Sequence, residues 1–451
     1  MTRFRPYKFL IPLYQRLSGR KITSRLIEFE RNQWLSTEEI QIIQRRLINN
    51  LIKHTYHHAP FYHKILNAVG IAKKGMVETT DWDNIPFLTK DDILTHRDEL
   101  LADDYAHNTL KINASGGSTG HTLSFYNDRT SLDFRSAVTI RGDRWAGLDI
   151  GTPHARLWGA PTDLYLQQRL VNRISNYLQN RLWLDCFHLS ESLMESYVQR
   201  LRHFHAEVLV GYATALATFS QYLLDHNITD IRPKGIISSA ETLYPEQRQQ
   251  INRALDCKVY NRYGSRETGP IACECQFGHL HVNSDYVFLE IIKNGVPAMP
   301  GEIGEIVVTP LYSYGMPLIR YRIGDLGVPS SPEPCPCGRG LPTLDRIIGR
   351  TSDMLVNSRG ELFHGEYFTH LFYHQPGVRQ FQVIQPDRFR LQFKLVIEPD
   401  FNQQLTDQLE SKIQDFVGPM AISWELVDEI PPLSSGKRAF TISLVSEKDK
   451  P

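Results

Sequence analysis

The spacing of apolar residues changes along the chain, and each change predicts a different kind of element. Ser36 and Glu39 form a capping box for a helix over about residues 35 to 55, whose apolar side chains recur on one face: Ile40, Ile43, Leu47 and Leu51. From about residue 130 to 350, helical stretches alternate with short β-rich runs, among them 208–210, 235–237 and 258–260. This alternation predicts α/β architecture with largely parallel strands.

Two later regions follow other patterns. Residues 286–292 and 304–309 are predicted strands between glycine and proline turns, which indicates an antiparallel or barrel-like subdomain. Beyond about residue 355, an alternating run predicts a half-exposed strand and a helically spaced run predicts a short helix: Phe389, Leu391, Phe393 and Leu395, then Leu405, Leu409, Ile413 and Phe416. The predicted fold class is α/β, with a large N-terminal domain of βα-layered subdomains plus a β-rich subdomain, and a small C-terminal α+β domain.

We predict two domains and place their boundary within residues 349–354. Residues 1–350 would form the large domain, with a helical region over about 1–100, and residues 351–451 the small one. The chain has 451 residues, of which 41% are hydrophobic, so it is long and apolar enough to bury more than one core.

The charge is balanced, which disfavours several classes of function. Lys+Arg and Asp+Glu both number 50, so no net field attracts nucleic acid or an anionic membrane. The basic N-terminus has a short apolar run broken by Pro12, and no run approaches the ~18 apolar residues of a spanning helix. We expect a cytoplasmic protein, monomer or homodimer, with no nucleic-acid partner and no membrane insertion.

Four histidines follow the first predicted helix: His54, His57, His58 and His63. No acidic or thiol residue stands beside them, and Pro60 interrupts the helical spacing. We interpret them as surface and packing histidines, with metal binding as the alternative.

A loop rich in glycine and hydroxyl groups lies between two predicted strands: Ser115, Gly116, Gly117, Ser118, Thr119 and Gly120. Such a loop can bring backbone N–H groups and hydroxyls close to phosphate oxygens. It is not a Walker A loop, because the lysine of that motif is absent and His121 follows the last glycine. A flexible hairpin is the alternative interpretation.

The segment Asn261–Gly269 contains a tyrosine–glycine turn followed by a lone glutamate, Glu267. This arrangement suits an ATP site that holds adenine and a metal ion, although a glycine turn with a solvated carboxylate would have the same sequence.

Two further residues are candidates for chemistry. Asp325 follows a predicted strand among glycines, where its carboxylate can accept hydrogen bonds from two ribose hydroxyls, unless Arg320 and Arg322 make it a structural ion pair. Lys437 stands on a glycine turn near the C-terminus, where a lysine is commonly solvated.

Together and in this order, these pieces resemble the adenylate-forming superfamily of acyl-CoA synthetases, non-ribosomal peptide adenylation domains and luciferases. The closer resemblance is to its phenylacetate-CoA ligase branch and the CapK-type proteins. It spans nearly the whole chain, through residues 209–213, 236–241, 263–267, 319–325, 348–350 and 435–437. The resemblance implies an enzyme, an AMP-forming acid–thiol ligase, that uses ATP, Mg²⁺ and coenzyme A.

The resemblance also implies roles for individual residues. Three segments would hold the nucleotide: Ser115 to Gly120 around the phosphates, Ser239, Ala240 and Glu241 at the adenine, and Asn261, Tyr263 and Gly264, with the tyrosine ring stacked on the base. Glu267 would bind Mg²⁺, Asp325 would hold the ribose with help from Arg350, and Lys437 would be the catalytic lysine.

Those residue types suit the chemistry, since the substrate carboxylate and the α-phosphate are both anionic. Lys437 and Mg²⁺ would offset their repulsion as charge develops in the transition state. In the superfamily the small domain then rotates to admit the second nucleophile, and the hinge would fall at Ser352, followed by Asp353. Ser352 departs from the Asp or Lys of many relatives, and His121 departs from their lysine.

Cysteine and histidine are clustered in two segments. Residues 273–281 supply two thiols and two imidazoles, and residues 335–338 supply two more thiols. These ligand types fit tetrahedral Zn²⁺ in a structural site, against the alternative of two unligated reduced pairs. The pattern in relatives of the branch favours Cys275, His281, Cys335 and Cys337 as ligands, with Cys273 and His279 as alternatives.

The acyl pocket is expected from comparable regions of the superfamily, residues 134–145, 157–165 and 212–215. Trp158, Tyr165 and Tyr212 would face an aromatic or small apolar acid, or else belong to the core. The main functional hypothesis is transfer of the acyl group to coenzyme A. The alternatives are an amide ligase that uses an amine or amino acid as acceptor, and an inactive binding or scaffold protein.

Overall fold

The structure is a computed structural model. It describes residues 18–73, 76–77, 79–114, 123–158, 175–186, 189–350, 354–372, 375–399, 401–402, 404–431 and 439–445. The chain divides into two compact units, the first running to residue 323 and over 327–347, the second covering 324–326 and 348 onward. The predicted functional domains at 1–350 and 351–451 stay a prediction.

The first unit begins with helices: α1 (Ile22–Asn32), α2 (Thr37–His58), α3 (Pro60–Ala68) and α4 (Lys90–Thr95). The predicted capping box is present, because the Ser36 hydroxyl accepts from the N–H of Glu39 and the Glu39 carboxylate accepts from the N–H of Ser36. Pro60 stands at the first position of α3, where its missing N–H costs no helical hydrogen bond. Two short hairpins lie in the same part of the chain, β1 (Ala72–Lys73) with β2 (Met76–Val77), and β3 (Lys111–Ala114) with β4 (Ser124–Asn127).

One large sheet extends across the chain from residue 154 to residue 350. Its parallel part has the order β6-β5-β7-β8-β9, built from β5 (His154–Leu157), β6 (Arg181–Leu184), β7 (Val208–Gly211), β8 (Gly235–Ser239) and β9 (Val259–Ser265). The helices along this part are α5 (Arg129–Trp145), α6 (Glu191–Phe204), α7 (Ala213–Asp225) and α8 (Pro245–Leu255).

Beyond β9, the same sheet continues with a second group of strands. Their order is β9-β10-β11-β16-β15-β14-β12-β13, with β10 (Gly269–Glu274), β11 (Leu280–Val282), β12 (Val287–Lys293), β13 (Val296–Pro297), β14 (Gly304–Pro310), β15 (Tyr321–Pro329) and β16 (Thr343–Arg350). The pairs β9/β10, β10/β11, β11/β16 and β12/β14 are antiparallel. The β-rich part predicted from the sequence is therefore continuous with the parallel part.

Successive side chains of β7, the central parallel strand, point to opposite faces of the sheet, and each face packs into its own apolar cluster. On β7, Leu209 joins a cluster formed with α6, α7 and α8, whereas Val208 and Val210 join Ala146 and Leu148 on the other face. A larger cluster joins the N-terminal helices to the antiparallel strands. Strands covered on both faces are continuously apolar, which explains the short runs that the sequence shows.

The second unit has its own core and a four-stranded sheet in the order β21-β20-β19-β22. Its elements are β17 (Met354–Val356), β18 (Leu362–His364), α9 (Glu366–Phe372), β19 (Val378–Asp387), β20 (Arg390–Ile397), α10 (Gln404–Val417), β21 (Ala421–Leu426) and β22 (Thr441–Ser443). The predicted strand and helix are present, with Leu391, Phe393, Leu409 and Ile413 buried. The predicted fold class is confirmed.

Candidate active site

The carboxyl ends of three adjacent parallel strands bring the predicted adenine-binding residues together. The register pairs Gly211 of β7 with Ser238 of β8, and Ser238 with Asn261 of β9. The residues that follow in each chain segment therefore leave the sheet at a common edge, which is where open α/β sheets bind ligands. Ser239 and Tyr263 lie at this edge.

The turn after β8 has an unusual backbone. Ala240 has φ of 72°, in the left-handed region that non-glycine residues seldom adopt. The Ser239 hydroxyl donates to the carbonyl of Arg262 at 3.1 Å, and the Glu241 carboxylate accepts from the N–H of Thr214 at 2.9 Å. Glu241 thereby caps the N-terminus of α7, which has no cap from its own N-cap residue.

The β9–β10 hairpin depends on a glycine. A Cβ added at Gly264 would lie 2.3 Å from the carbonyl oxygen of Gly269, so no larger residue fits there. The N–H of Asn261 donates to the Glu274 carboxylate at 2.9 Å, and Arg248 binds the same carboxylate with two nitrogens. Both contacts fix β9 at the position where the predicted base-binding residues begin.

Glu267 lies in the turn between β9 and β10, and this turn is held through its main chain. Arg135 of α5 donates to the carbonyls of Arg266 at 2.7 Å and Ser265 at 3.3 Å. The Tyr286 hydroxyl donates to the carbonyl of Thr268 at 3.0 Å, and burial raises the pKa of Tyr286 to about 12, so the hydroxyl keeps its proton. No local sequence pattern marks Arg135 or Tyr286 as a support, because both lie well away in sequence from the carbonyls that they bind.

The same turn contacts the residue that precedes the glycine-rich loop in sequence. Arg266 donates from Nη1 to the carbonyl oxygen of Ala114 at 3.3 Å, across 152 positions of sequence. Ala114 ends β3 and immediately precedes Ser115. Residues 115–122, which contain all six predicted phosphate-loop residues and His121, lie outside the described residues.

A small pocket lies beside Glu267, with room for about one water molecule. It is lined by residues from α5, the β9–β10 turn and the antiparallel strands: Asn127, Ser131, Arg135, Glu267, Thr268, Tyr286, Pro310, Tyr312 and Ser313.

Asp325 and Arg350 contact each other in the second unit, with Arg350 Nε 2.9 Å from the Asp325 carboxylate. Arg320 and Arg322 have other carboxylate partners, Glu290 and Glu305. Lys437 and the predicted hinge residues Ser352 and Asp353 lie outside the described residues.

The structure brings together four of the candidate zinc ligands. One ligand atom from each of Cys275, His281, Cys335 and Cys337 lies within 4.8 Å of the other three. The Sγ atoms of Cys275 and Cys335 are 3.7 Å apart, and the Cys337 Sγ is 3.3 Å from the His281 Nε2. Zn–S bonds of about 2.3 Å in a tetrahedron place sulfurs ~3.7 Å apart, so this donor set fits Zn²⁺.

Neighbouring groups orient these ligands as a zinc site requires. The His281 Nδ1 lies 2.8 Å from the Leu341 carbonyl, which directs Nε2 to the thiols, and burial lowers the pKa of His281 to about 4, so the ring is neutral. The N–H groups of Phe277 and Arg339 donate to the sulfurs of Cys275 and Cys337. Cys273 instead lies against Gly142, where an added Cβ would be 2.4 Å from its sulfur.

The aromatic residues expected at the acyl pocket are only partly described. The rings of Trp158 and Tyr212 pack with centroids 4.4 Å apart, and Tyr212 is buried in the cluster around α7. Tyr165 lies outside the described residues. The position of the acyl pocket stays a prediction.

Comparison with known proteins adds independent evidence. Residues 355–444 match the family described as the CapK C-terminal domain. Protein CapK of Staphylococcus aureus is 26% identical over 408 residues, which cover 89% of this chain and 88% of that protein. The phenylacetate-coenzyme A ligase of Thermus thermophilus is 26% identical over 330 residues, covering 71% of this chain and 73% of that protein.

Solved structures share the fold. A 2-hydroxyisobutyryl-CoA ligase in the postadenylation state matches with a TM-score of 0.73 and 17% identity, covering 93% of this chain and 92% of that one. ATP-bound MatB from Rhodopseudomonas palustris matches with a TM-score of 0.53 and 16% identity, over 76% of this chain and 68% of that one.

These similarities define the class of protein. The fold is that of the adenylate-forming CoA ligases, and the chain is a homologue of CapK and of the phenylacetate-CoA ligases. The resemblance predicted from the sequence is confirmed, and so is the predicted class of enzyme, an AMP-forming acid–CoA ligase. Within the described residues, no helix is both long and apolar enough to cross a membrane.

Proposed function

We propose that this protein activates a carboxylic acid with Mg-ATP and transfers the acyl group to coenzyme A. In the first step a carboxylate oxygen attacks the α-phosphorus of ATP and pyrophosphate leaves, which yields an acyl-AMP. In the second step the thiolate of coenzyme A attacks the acyl carbon and AMP leaves. Neither step requires a covalent bond to the enzyme.

One contact carries the proposal, the hydrogen bond from Arg266 to the carbonyl of Ala114. It joins the turn that contains Glu267 to the residue before the glycine-rich loop. A carboxylate that holds Mg²⁺ must lie near the groups that bind the phosphates, because the ion would offset the phosphate charge. The turn selected from the sequence for the metal thus contacts the residue that leads into the predicted phosphate loop, which supports an Mg-ATP site there.

The remaining roles follow the resemblance. Glu267 would hold Mg²⁺, residues 115–120 the phosphates, and the edge formed by Ser239 and Tyr263 the adenine. Asp325 and Arg350 would bind the ribose, and their 2.9 Å contact holds the two side chains together. Lys437 would stabilise the charge that develops at the α-phosphate and the carboxylate.

The proposal is tested by ATP–pyrophosphate exchange with a panel of aryl, short fatty and amino acids. We expect exchange with at least one acid, and loss of exchange in Lys437→Ala by ~10²-fold or more. The matched control is Lys234→Ala, since Lys234 is an exposed lysine that pairs with Glu207. Equal exchange in both variants, or no exchange with any acid, would contradict the proposed mechanism.

Product analysis then identifies the acceptor. With the active acid, coenzyme A should give an acyl thioester and release AMP in equal amount. Formation of an amide with an amine or amino acid, but no thioester, would favour the amide ligase. Exchange without either product would reject both transfer reactions and retain only the adenylation step. Nucleotide binding without any exchange would favour the scaffold protein.

We also propose that Cys275, His281, Cys335 and Cys337 hold a structural Zn²⁺. Four protein ligands leave no open coordination position, so the ion would join the β10–β11 hairpin to residues 335–341 and take no part in the reaction. We propose the cytoplasm as the compartment, where thiols stay reduced and available to bind a metal. Metal analysis of the untagged protein should find about one zinc per chain, and Cys335→Ser should lose it while the control Cys257→Ser retains it.

A further inference from the structure

A second group of metal-binding side chains lies outside both sites described above. One ligand atom from each of His54, His58 and Asp104 lies within 4.8 Å of the other two. The sequence shows no acidic neighbour for these histidines, but the fold supplies one from the segment that follows α4. The interpretation of all four histidines as surface and packing residues is therefore incomplete.

Residues 102–104, which include Asp104, are held in place by main-chain hydrogen bonds, one of them to the end of α2. The N–H of Asp103 donates to the carbonyl of His58 at 2.9 Å, and the N–H of Ala102 donates to the carbonyl of Gly315 at 3.1 Å. His54 and His58 are four residues apart on one helix, so their rings project from the same face. Their ring centroids are 4.8 Å apart. The three side chains are therefore positioned by rigid backbone.

The surroundings prepare both imidazoles to bind a metal. The Asp103 carboxylate lies 2.8 Å from Nδ1 of His58, so Nδ1 holds the proton and Nε2 keeps its lone pair. A carboxylate on the far nitrogen is the usual partner of a metal-bound histidine. The His54 Nε2 lies 3.2 Å from the Tyr314 carbonyl, which can only accept, so Nε2 holds the proton and Nδ1 keeps its lone pair.

We propose that His54, His58 and Asp104 form a binding site for a divalent transition-metal ion of the Zn²⁺, Ni²⁺ or Cu²⁺ type. Two imidazole nitrogens and one carboxylate oxygen are the donors that these ions prefer, and they do not suit Mg²⁺. The side chains of His58 and Asp104 are 38% exposed, so water or a further ligand can complete the coordination. Asp103 orients His58 and does not bind the ion itself.

This site and the cysteine cluster differ in donor type and in exposure to solvent, so an experiment can distinguish them. It has no sulfur donor and it is open to solvent, so its ion should exchange with added metal. The cluster of Cys275, His281, Cys335 and Cys337 is mostly buried and rich in thiolate, so it should retain zinc during the experiment. The proposal does not depend on the ligase activity.

The test is calorimetric titration of the untagged full-length protein with Ni²⁺, followed by electron paramagnetic resonance of the Cu²⁺-loaded protein. We expect one site per chain in the wild type and a resonance spectrum with two nitrogen ligands. His54→Ala and His58→Ala should each weaken binding by at least ~10-fold. Asp103→Asn should also weaken Ni²⁺ binding by ~10-fold. This variant keeps all three proposed ligands and loses only the carboxylate that orients His58.

His57→Ala is the matched control, since His57 is an exposed histidine on the same helix outside the cluster. It should bind Ni²⁺ as tightly as the wild type. Circular dichroism of each variant checks that the fold is retained, and Asp104→Asn offers a second variant if one histidine variant fails to fold. Equal binding in His54→Ala and wild type, or equal loss in His57→Ala, would overturn the proposal.

Discussion

The Glu267 turn and the cysteine cluster are both candidate metal-binding places in the first unit, yet they are built differently. The turn is held from outside, by Arg135 and Tyr286 through its main-chain carbonyls. The cluster is formed by its own ligands, whose side chains approach one another directly. At the turn, the groups that hold the main chain are different from the carboxylate proposed to bind the metal, whereas in the cluster the proposed ligands themselves lie against one another. Changes at the turn should therefore affect activity, and changes at the cluster should affect stability.

The largest effect is expected for Glu267→Gln, which removes the charge proposed to bind Mg²⁺ and keeps the shape. Acid-dependent pyrophosphate exchange should fall by ~10²-fold or more. The unfolding temperature should stay near that of the wild type, because the side chain is not part of a described ion pair. The matched control is Glu302→Gln, an exposed carboxylate paired with Lys293, which should keep full exchange. Full exchange in Glu267→Gln would remove Glu267 from the mechanism.

Disruption of the cluster should produce the second-largest effect, on stability. Cys335→Ser removes one proposed zinc ligand, and structural zinc can supply ~10 kcal/mol of folding free energy. We expect the unfolding temperature of the first unit to fall by about 5 °C or more. A strong chelator should lower the wild-type temperature in the same way and leave that of Cys335→Ser unchanged. A chelator effect of equal size in both proteins would mean that the zinc lies elsewhere.

Arg135→Gln should have a smaller effect, which separates a positioning role from a structural one. The variant loses hydrogen bonds to the carbonyls of Arg266 and Ser265, so the turn is no longer fixed from α5. We expect the KM for Mg-ATP to rise about tenfold, since a hydrogen bond from a charged group is worth ~1.5 kcal/mol or more. Arg135→Lys should recover part of the loss. A lower unfolding temperature with unchanged KM would assign Arg135 to stability alone.

Tyr286→Phe should have the smallest effect of the four. It removes one hydrogen bond to the carbonyl of Thr268, worth ~1 kcal/mol, and keeps the buried ring. The KM for Mg-ATP should rise by about fivefold at most, and the effect should not change between pH 6 and pH 9, because the hydroxyl keeps its proton throughout. A pH-dependent effect in this range would show that the hydroxyl does more than donate to Thr268.

The sequence predicted the elements whose pattern is local. The capping box at Ser36, the alternation over β20 and the apolar face of α10 depend on residues a few positions apart, and the structure has all three. The division of the large sheet into parallel and antiparallel strands was also predicted, because strands covered by helices on both faces differ in pattern from hairpin strands.

Many residues of the candidate site could be selected from the sequence, but the sequence did not show which of them lie close together in the fold. Glu267 and the glycine-rich loop were selected as separate motifs, and the contact between Arg266 and Ala114 spans 152 positions of sequence. Among the four thiols and two imidazoles near residues 273–281 and 335–337, only the fold directs Cys273 to Gly142 and away from the cluster. The contacts of Arg135 and Asp104 could not be predicted at all, because no residue near either of them in sequence indicates its partners.

The sequence by itself determined which chemical groups are available and in what order they occur, and this was enough to identify the class of enzyme. Periodicity and capping are set by backbone geometry over one or two turns, so they can be read without knowledge of the fold. The tertiary structure decided which of those groups meet. Contacts such as those of Arg135 with the Glu267 turn, or of Asp103 with His58, arise only when sheet register and helix packing fix distant segments together, and no local pattern encodes that.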